Sequence, residues 1–223
     1  MMTVSGLRKC YGSGEARVEV LKGLDFTIQT GEQVALTGKS GSGKSTLLSL
    51  MAGLDSPDAG TIAIDQQNIS LMNEKDLTSY RARHIGIVFQ QFHLVSTLTA
   101  LENVLLPLEI LKMDQARERA MSLLENVGLS HRMDHLPSQL SGGESQRVAI
   151  ARALSTNPAI LFADEPSGNL DEETGDKVMG LLFDLVKKSG TTLVLVTHDP
   201  DLASKCERII HLEHGKLAHE VRK

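Results

Sequence analysis

Residues 38–45 read Gly38-Lys39-Ser40-Gly41-Ser42-Gly43-Lys44-Ser45, a G-x-x-x-x-G-K-[ST] pattern followed directly by Thr46. Glycines at 38, 41 and 43 admit positive φ, so successive backbone N–H groups can turn inward as an anion nest. A helix opening near Lys44 adds the partial positive charge of its N-terminus. The Lys44 ammonium can then reach β- and γ-phosphates, and the Ser45 hydroxyl can ligate Mg²⁺. An ordinary strand–helix loop is the alternative. The pattern falls between a predicted strand and a predicted helix, as triphosphate binding requires.

A second stretch, residues 159–166, is an apolar run that ends in Asp164-Glu165-Pro166. A carboxylate at the end of a buried strand is costly unless it meets a cation. In a phosphate-loop fold that cation is Mg²⁺, so Asp164 is expected to hold the metal through water. Glu165 points elsewhere and can polarise an attacking water as general base. Alone, the pair also fits a strand entering a polar turn; the glycine loop upstream gives it weight. A third stretch, Leu140-Ser141-Gly142-Gly143-Glu144-Ser145-Gln146-Arg147, sets a serine N-cap and two glycines at a helix start. It reads either as a second anion site or simply as a capped helix.

The elements that must carry these residues follow from periodicity. Residues 2–28 are strand-like, broken by a glycine-bearing turn over 11–15. A strand at 33–37 feeds the glycine loop, and a helix over 44–52 closes at Gly53. Further strands are expected at 60–65, 85–89, 159–163, 191–196 and finally 208–212. Helices are expected over 141–154 and 172–188, and apolar spacings of three and four make 101–132 helical. Strands alternating with helices imply an α/β chain with a mostly parallel sheet. The all-helical stretch over 91–157 interrupts that alternation and is expected to be an inserted subdomain.

Composition bounds the partners. The chain has 223 residues, 41% hydrophobic and 23% charged, enough for one domain with a subdomain. A net charge of -5, 3% aromatics and no tryptophan argue against nucleic acid as a partner. No window approaches the roughly 20 apolar residues of a membrane span, so any membrane work is expected to run through another chain. No secretory signal is evident, and Cys10 and Cys206 read as reduced thiols of a cytosolic protein. The histidines other than His198 have no ligand spacing, and Asp171-Glu172-Glu173 reads as an acidic first turn.

The stretch LSGGESQRVAIARAL, set shortly before the Asp164–Glu165 strand, resembles the signature of the ABC-transporter ATPase family, and the resemblance covers essentially the whole chain. It implies a P-loop NTPase: one domain over 1–223, with a RecA-like core and N-terminal antiparallel β subdomain over about 1–90 and 158–223. The α-helical subdomain would occupy about 91–157. By the same resemblance Gln90 is similar to the Q-loop glutamine that senses Mg²⁺ and faces the membrane partner. Residues 167–171 resemble the D-loop, which gives Asp171 its functional claim. His198 is similar to the switch histidine at the γ-phosphate, and Tyr11 sits where the family places an aromatic against adenine.

The implied cofactors are ATP and Mg²⁺. The implied partners are a second copy of the ATPase and a membrane permease, with Ser141, Gly142 and Gly143 of one subunit capping the nucleotide held by the other. ADEPSGNLD, FQQFHLVSTLTALENV and HLPSQLSGGE resemble the subgroup of lipoprotein-release and macrolide-export ATPases. That implies export or extraction of a hydrophobic molecule or lipoprotein, powered from the cytoplasmic face of a bacterial inner membrane. The alternative is a regulatory ATPase that transmits motion to a periplasmic activity. Ser145 and Ser167 depart from the family's usual glutamine and threonine.

Overall fold

The computed structural model describes residues 1–223, the side chain of Glu15 excepted. In chain order its main elements are β1 (Met2–Tyr11), β2 (Val18–Ile28), β3 (Gln33–Thr37), α1 (Lys44–Met51), β4 (Ala59–Ile64), β5 (Gln67–Asn68), α2 (Glu74–His84) and β6 (Ile85–Phe89). They continue with α3 (Ala100–Ile110), α4 (Ala116–Asn126), α5 (Gly142–Leu154), β7 (Ile160–Asp164), α6 (Glu172–Ser189), β8 (Thr192–Val196), α7 (Pro200–Lys205), β9 (Arg208–Glu213) and β10 (Lys216–Arg222). The chain divides into two compact units, residues 1–81 with 192–223, and residues 82–191.

The first unit holds an antiparallel sheet in the order β2-β1-β4-β5. The β1–β2 ladder runs from Met2 opposite Ile28 to Tyr11 opposite Val18, with bulges between. That register leaves Tyr11 at the turn end of the hairpin. The same unit carries β3 between β8 and β9, parallel to both. All five residues of β8 are buried, the continuous apolar run expected of a strand covered on both faces. α1 buries Leu47, Leu48, Leu50 and Met51. It stops because Gly53 takes φ 65°, where a Cβ would press on Leu77.

The second unit pairs β6 with β7 in parallel, Phe89 opposite Asp164. Helices α3, α4 and α5 enclose a core of Leu101, Val104, Leu108, Leu124, Leu129 and Val148. α3 and α5 each open on a capping box, Thr99 with Glu102 and Ser141 with Glu144. α6 has Asp171 at its N-cap, Glu172 and Glu173 in its first turn, and Lys187 and Lys188 in its last. Those charges complement the helix dipole at both ends.

Four elements were not expected, the two-residue strand β5 among them. β10 follows what reads as the final strand, through a turn with His214 at φ 49° and Gly215 at φ 78°. Its side chains are almost all exposed, so it lacks the apolar alternation that marks a strand. α2 buries only Leu77 and Tyr80, which leaves no helical stripe to read. α7 is six residues long, specified by the Asp199 cap and Pro200 rather than by periodicity. The helical stretch over 91–157 resolves into three helices joined by turns.

Candidate functional site

The buried strand β3 delivers the chain to Gly38, which bends it at φ 146°. A Cβ there would overlap the Leu212 carbonyl oxygen and crowd Ser42 Oγ. Gly43, the N-cap of α1, takes φ 101°, and a Cβ would lie 2.8 Å from Leu21 Cδ2. Only glycine fits both positions. Gly41, at φ 76°, has nothing within 4 Å of its Cβ position, so the loop keeps an open face there. Ser40 and Ser45 are exposed and Thr46 is half-buried on the first turn of α1.

Lys44 is buried to 8% exposure, and its Nζ donates to Gly38 O at 2.8 Å and Lys39 O at 3.0 Å. The ammonium is thus folded over its own loop, satisfied by two carbonyls that an anionic ligand can replace. Ser42 Oγ is buried without a hydrogen-bond partner. A buried hydroxyl left unmatched beside a glycine cradle suits a group that arrives with oxygens.

Two further residues join this unit's set. Tyr11 is 45% exposed, and its hydroxyl donates to Asp55 Oδ2 at 2.8 Å. His198 follows β8 and borders, with Thr37, Gly38, Lys39 and His211, a hollow of about 440 Å³. The glycine loop and His198 therefore share one cavity. His211 was not singled out by its sequence context. Strand register sets it opposite Thr37, whose Oγ1 lies 3.0 Å from His211 Nδ1.

The second unit carries the other set. Asp164 closes β7, half-buried, and Glu165 follows at φ 44°, a left-handed conformation uncommon for glutamate. Gln90 leaves the neighbouring strand β6. Its Nε2 donates to Asn169 Oδ1 at 3.2 Å, and Asn169 Nδ2 donates to Gln90 O at 2.9 Å. Arg152 of α5 holds the next turn, donating to Phe92 O at 2.9 Å and His93 O at 2.6 Å. Asp171 accepts the Thr174 N–H at 3.0 Å, which holds its carboxyl below the ordinary value.

Ser141 caps α5, its Oγ accepting from Glu144 N at 3.2 Å while Ser141 N donates to Glu144 Oε2 at 2.8 Å. Arg132 Nε adds a bond to Glu144 Oε1 at 2.9 Å. The two glycines of this stretch also have a packing reason. A Cβ at Gly143 would lie 2.5 Å from Thr174 Cγ2, and one at Gly142 3.2 Å from Leu170 Cδ2. The predicted site residues thus form two sets, one in each unit. The pairings of Asn169 and Arg152, and the roles of Lys9 and Asp55, were not foreseen, because their partners lie far along the chain.

A buried parallel strand running through a glycine loop into a helix that opens on Lys44 and Ser45 defines a P-loop NTPase. The sequence profile of the ABC transporter family matches residues 21–168, and the chain belongs to that family. It is 49% identical over 222 residues to the uncharacterized ABC transporter ATP-binding protein YbbA of Escherichia coli (strain K12), covering 99% of this chain and 97% of YbbA. It is 48% identical over 219 residues to the lipoprotein-releasing system ATP-binding protein LolD of Legionella pneumophila (strain Paris), covering 97% and 96%. Among solved structures, it matches a dimeric post-hydrolysis state of the ATP-binding cassette MJ0796 bound to ADP and Pi. That match has a TM-score of 0.91 and 44% identity, over 100% of this chain and 98% of the other. The fold is that of an ABC ATPase, and the chain is an ATPase.

Proposed function

We propose that this chain is the ATP-hydrolysing subunit of a transporter that extrudes or extracts a hydrophobic molecule or lipoprotein at the bacterial inner membrane. It would act from the cytoplasmic face, as a homodimer seated on a separate permease. The observation that carries the reading is near-full-length identity of 48% to a lipoprotein-releasing ATPase, joined to a complete set of phosphate-handling residues. No helix among the described residues is long and apolar enough to cross a membrane, so coupling to the bilayer is assigned to the permease.

The residues divide the work as follows. Backbone N–H groups of Ser40 to Thr46 and the start of α1 grip the triphosphate. Lys44 exchanges the carbonyls of Gly38 and Lys39 for β- and γ-phosphate oxygens. Tyr11 stacks on the purine. Ser45, Gln90 and, through water, Asp164 offer only oxygen donors, the set that suits Mg²⁺. That ion neutralises phosphate charge when bound. Glu165 takes the proton of the attacking water, and His198 contacts the γ-phosphate. ADP and phosphate are the products. Ser141, Gly142, Gly143 and Asp171 meet the nucleotide of the second copy, so ATP closes the dimer and hydrolysis lets it open.

The test is reconstitution with a permease that co-purifies with it from membranes. ATP-dependent release of a fluorescent lipoprotein or lipophilic dye from proteoliposomes is expected, together with stimulated ATPase. A permease that binds the chain yet moves no cargo under turnover would replace export with motion transmitted to a periplasmic activity.

A further inference from the structure

Tyr11 is held by more than the hairpin end it occupies. Its hydroxyl donates to one oxygen of Asp55, and the other oxygen accepts Lys9 Nζ at 2.8 Å. Lys9 also donates to Ser56 O at 2.7 Å, and its ammonium stands 5.1 Å from the centre of the Tyr11 ring. Lys9 is 8% exposed, a depth that lysine rarely reaches unless paired. Burial alone would push the Asp55 carboxyl up, yet the bonds from Lys9 and Tyr11 hold it below its ordinary value. Burial, then the bond to Asp55, raises the Tyr11 phenol, which therefore stays a neutral donor.

This is a costly arrangement for a surface tyrosine. One ring face lies under an ammonium, the phenol end is pinned by a carboxylate, and nearly half the residue remains exposed. A ring so held offers its remaining face at a fixed tilt. The bond to Asp55 also ties it to the end of α1, since Asp55 lies just past the Gly53 stop.

We infer that Lys9 and Asp55 clamp Tyr11 in the orientation that meets a purine, so that both are positioning residues for base recognition. The inference rests on the reading of Tyr11 as the stacking residue. Fixing the ring beforehand removes part of the ordering cost of binding. It also ties the platform for the base to the helix that grips the phosphates.

The experiment measures affinity of the full chain for Mg²⁺-ATP and, separately, for tripolyphosphate, by calorimetry on the wild type, Tyr11→Ala, Tyr11→Phe, Asp55→Ala and the Tyr11→Phe/Asp55→Ala double variant. Tyr11→Phe and Asp55→Ala are each expected to weaken ATP binding about three- to tenfold, the range of one lost hydrogen bond. The double variant should be no weaker than the more severe single, and tripolyphosphate affinity should stay within about twofold throughout. If Tyr11→Ala weakens ATP while Tyr11→Phe does not, the clamp is wrong and base stacking stands. If Tyr11→Ala leaves ATP affinity unchanged, the stacking reading itself fails. Equal losses for ATP and tripolyphosphate in Asp55→Ala would make Asp55 merely structural and overturn the inference. Should Asp55→Ala not fold, Tyr11→Phe decides alone, since it keeps the ring and removes only the clamped hydroxyl.

Discussion

Gln90 and Asn169 exchange two hydrogen bonds, side chain to side chain at 3.2 Å and Asn169 side chain to Gln90 backbone at 2.9 Å. Gly168, between Glu165 and Asn169, makes room for this pair, because a Cβ there would lie 2.8 Å from Gln90 Nε2. The glutamine proposed to sense the metal is thus held by the turn that follows the proposed base. Asn169→Ala is expected to lower ATP turnover about three- to tenfold while ATP affinity changes less than about twofold. Steady-state kinetics beside calorimetry check it. Unchanged turnover would remove the pair from the mechanism.

Glu165 sits at φ 44°, directly after the buried strand that ends at Asp164. A strained glutamate is retained where its direction matters. Glu165→Gln keeps the shape and loses the proton acceptor, so hydrolysis should fall about 100-fold or more with ATP binding retained. The variant should also accumulate as an ATP-bound dimer on gel filtration. Wild-type turnover in that variant would move the base elsewhere.

The phosphate loop makes two separate demands that two substitutions distinguish. Lys44→Ala removes an ammonium already turned onto the loop, and ATP affinity should drop about 10- to 100-fold with folding intact. Gly38→Ala drives a methyl into the Leu212 carbonyl and Ser42 Oγ at φ 146°. It should lower the melting temperature and reduce binding together. Thermal melts and calorimetry on both variants separate a lost contact from a lost loop.

What could be read from sequence was whatever is written locally. The glycine loop, the apolar β7 ahead of Asp164 and the Ser141–Glu144 box each span a few adjacent residues whose types dictate their conformation. The supports were hidden because they join distant positions. Arg152 reaches Phe92 and His93 across some sixty residues, Asn169 reaches Gln90 across 79, and Lys9 reaches Asp55 across 46. Nothing in their neighbourhoods marks those pairings. β10 and α2 escaped for a different reason: both are solvated on most sides, so no hydrophobic period betrays them. His211 read as one histidine among eight until parallel register set it opposite Thr37 beside the loop.

The Ser141–Glu144 box also makes stability depend on pH in a predictable direction. The Ser141 backbone N–H, working against burial and helped by the Ser141 side chain and Arg132, brings the Glu144 carboxyl from 4.5 down to about 2. A carboxyl depressed in the folded state contributes stability that is fully present above its unfolded value and is lost as pH falls toward the folded one. The window is therefore about 4.5 down to about 2. Glu144→Gln keeps an acceptor for the Ser141 N–H but cannot titrate. Other depressed carboxyls, such as Asp171 and Glu220, titrate alike in both proteins, so the difference between the two isolates Glu144. Urea midpoints measured from pH 6 to pH 3 should fall more steeply for the wild type than for Glu144→Gln. Parallel curves would mean that the box is no stronger folded than an exposed glutamate, and that the helix start at the signature stretch is held by Ser141 alone.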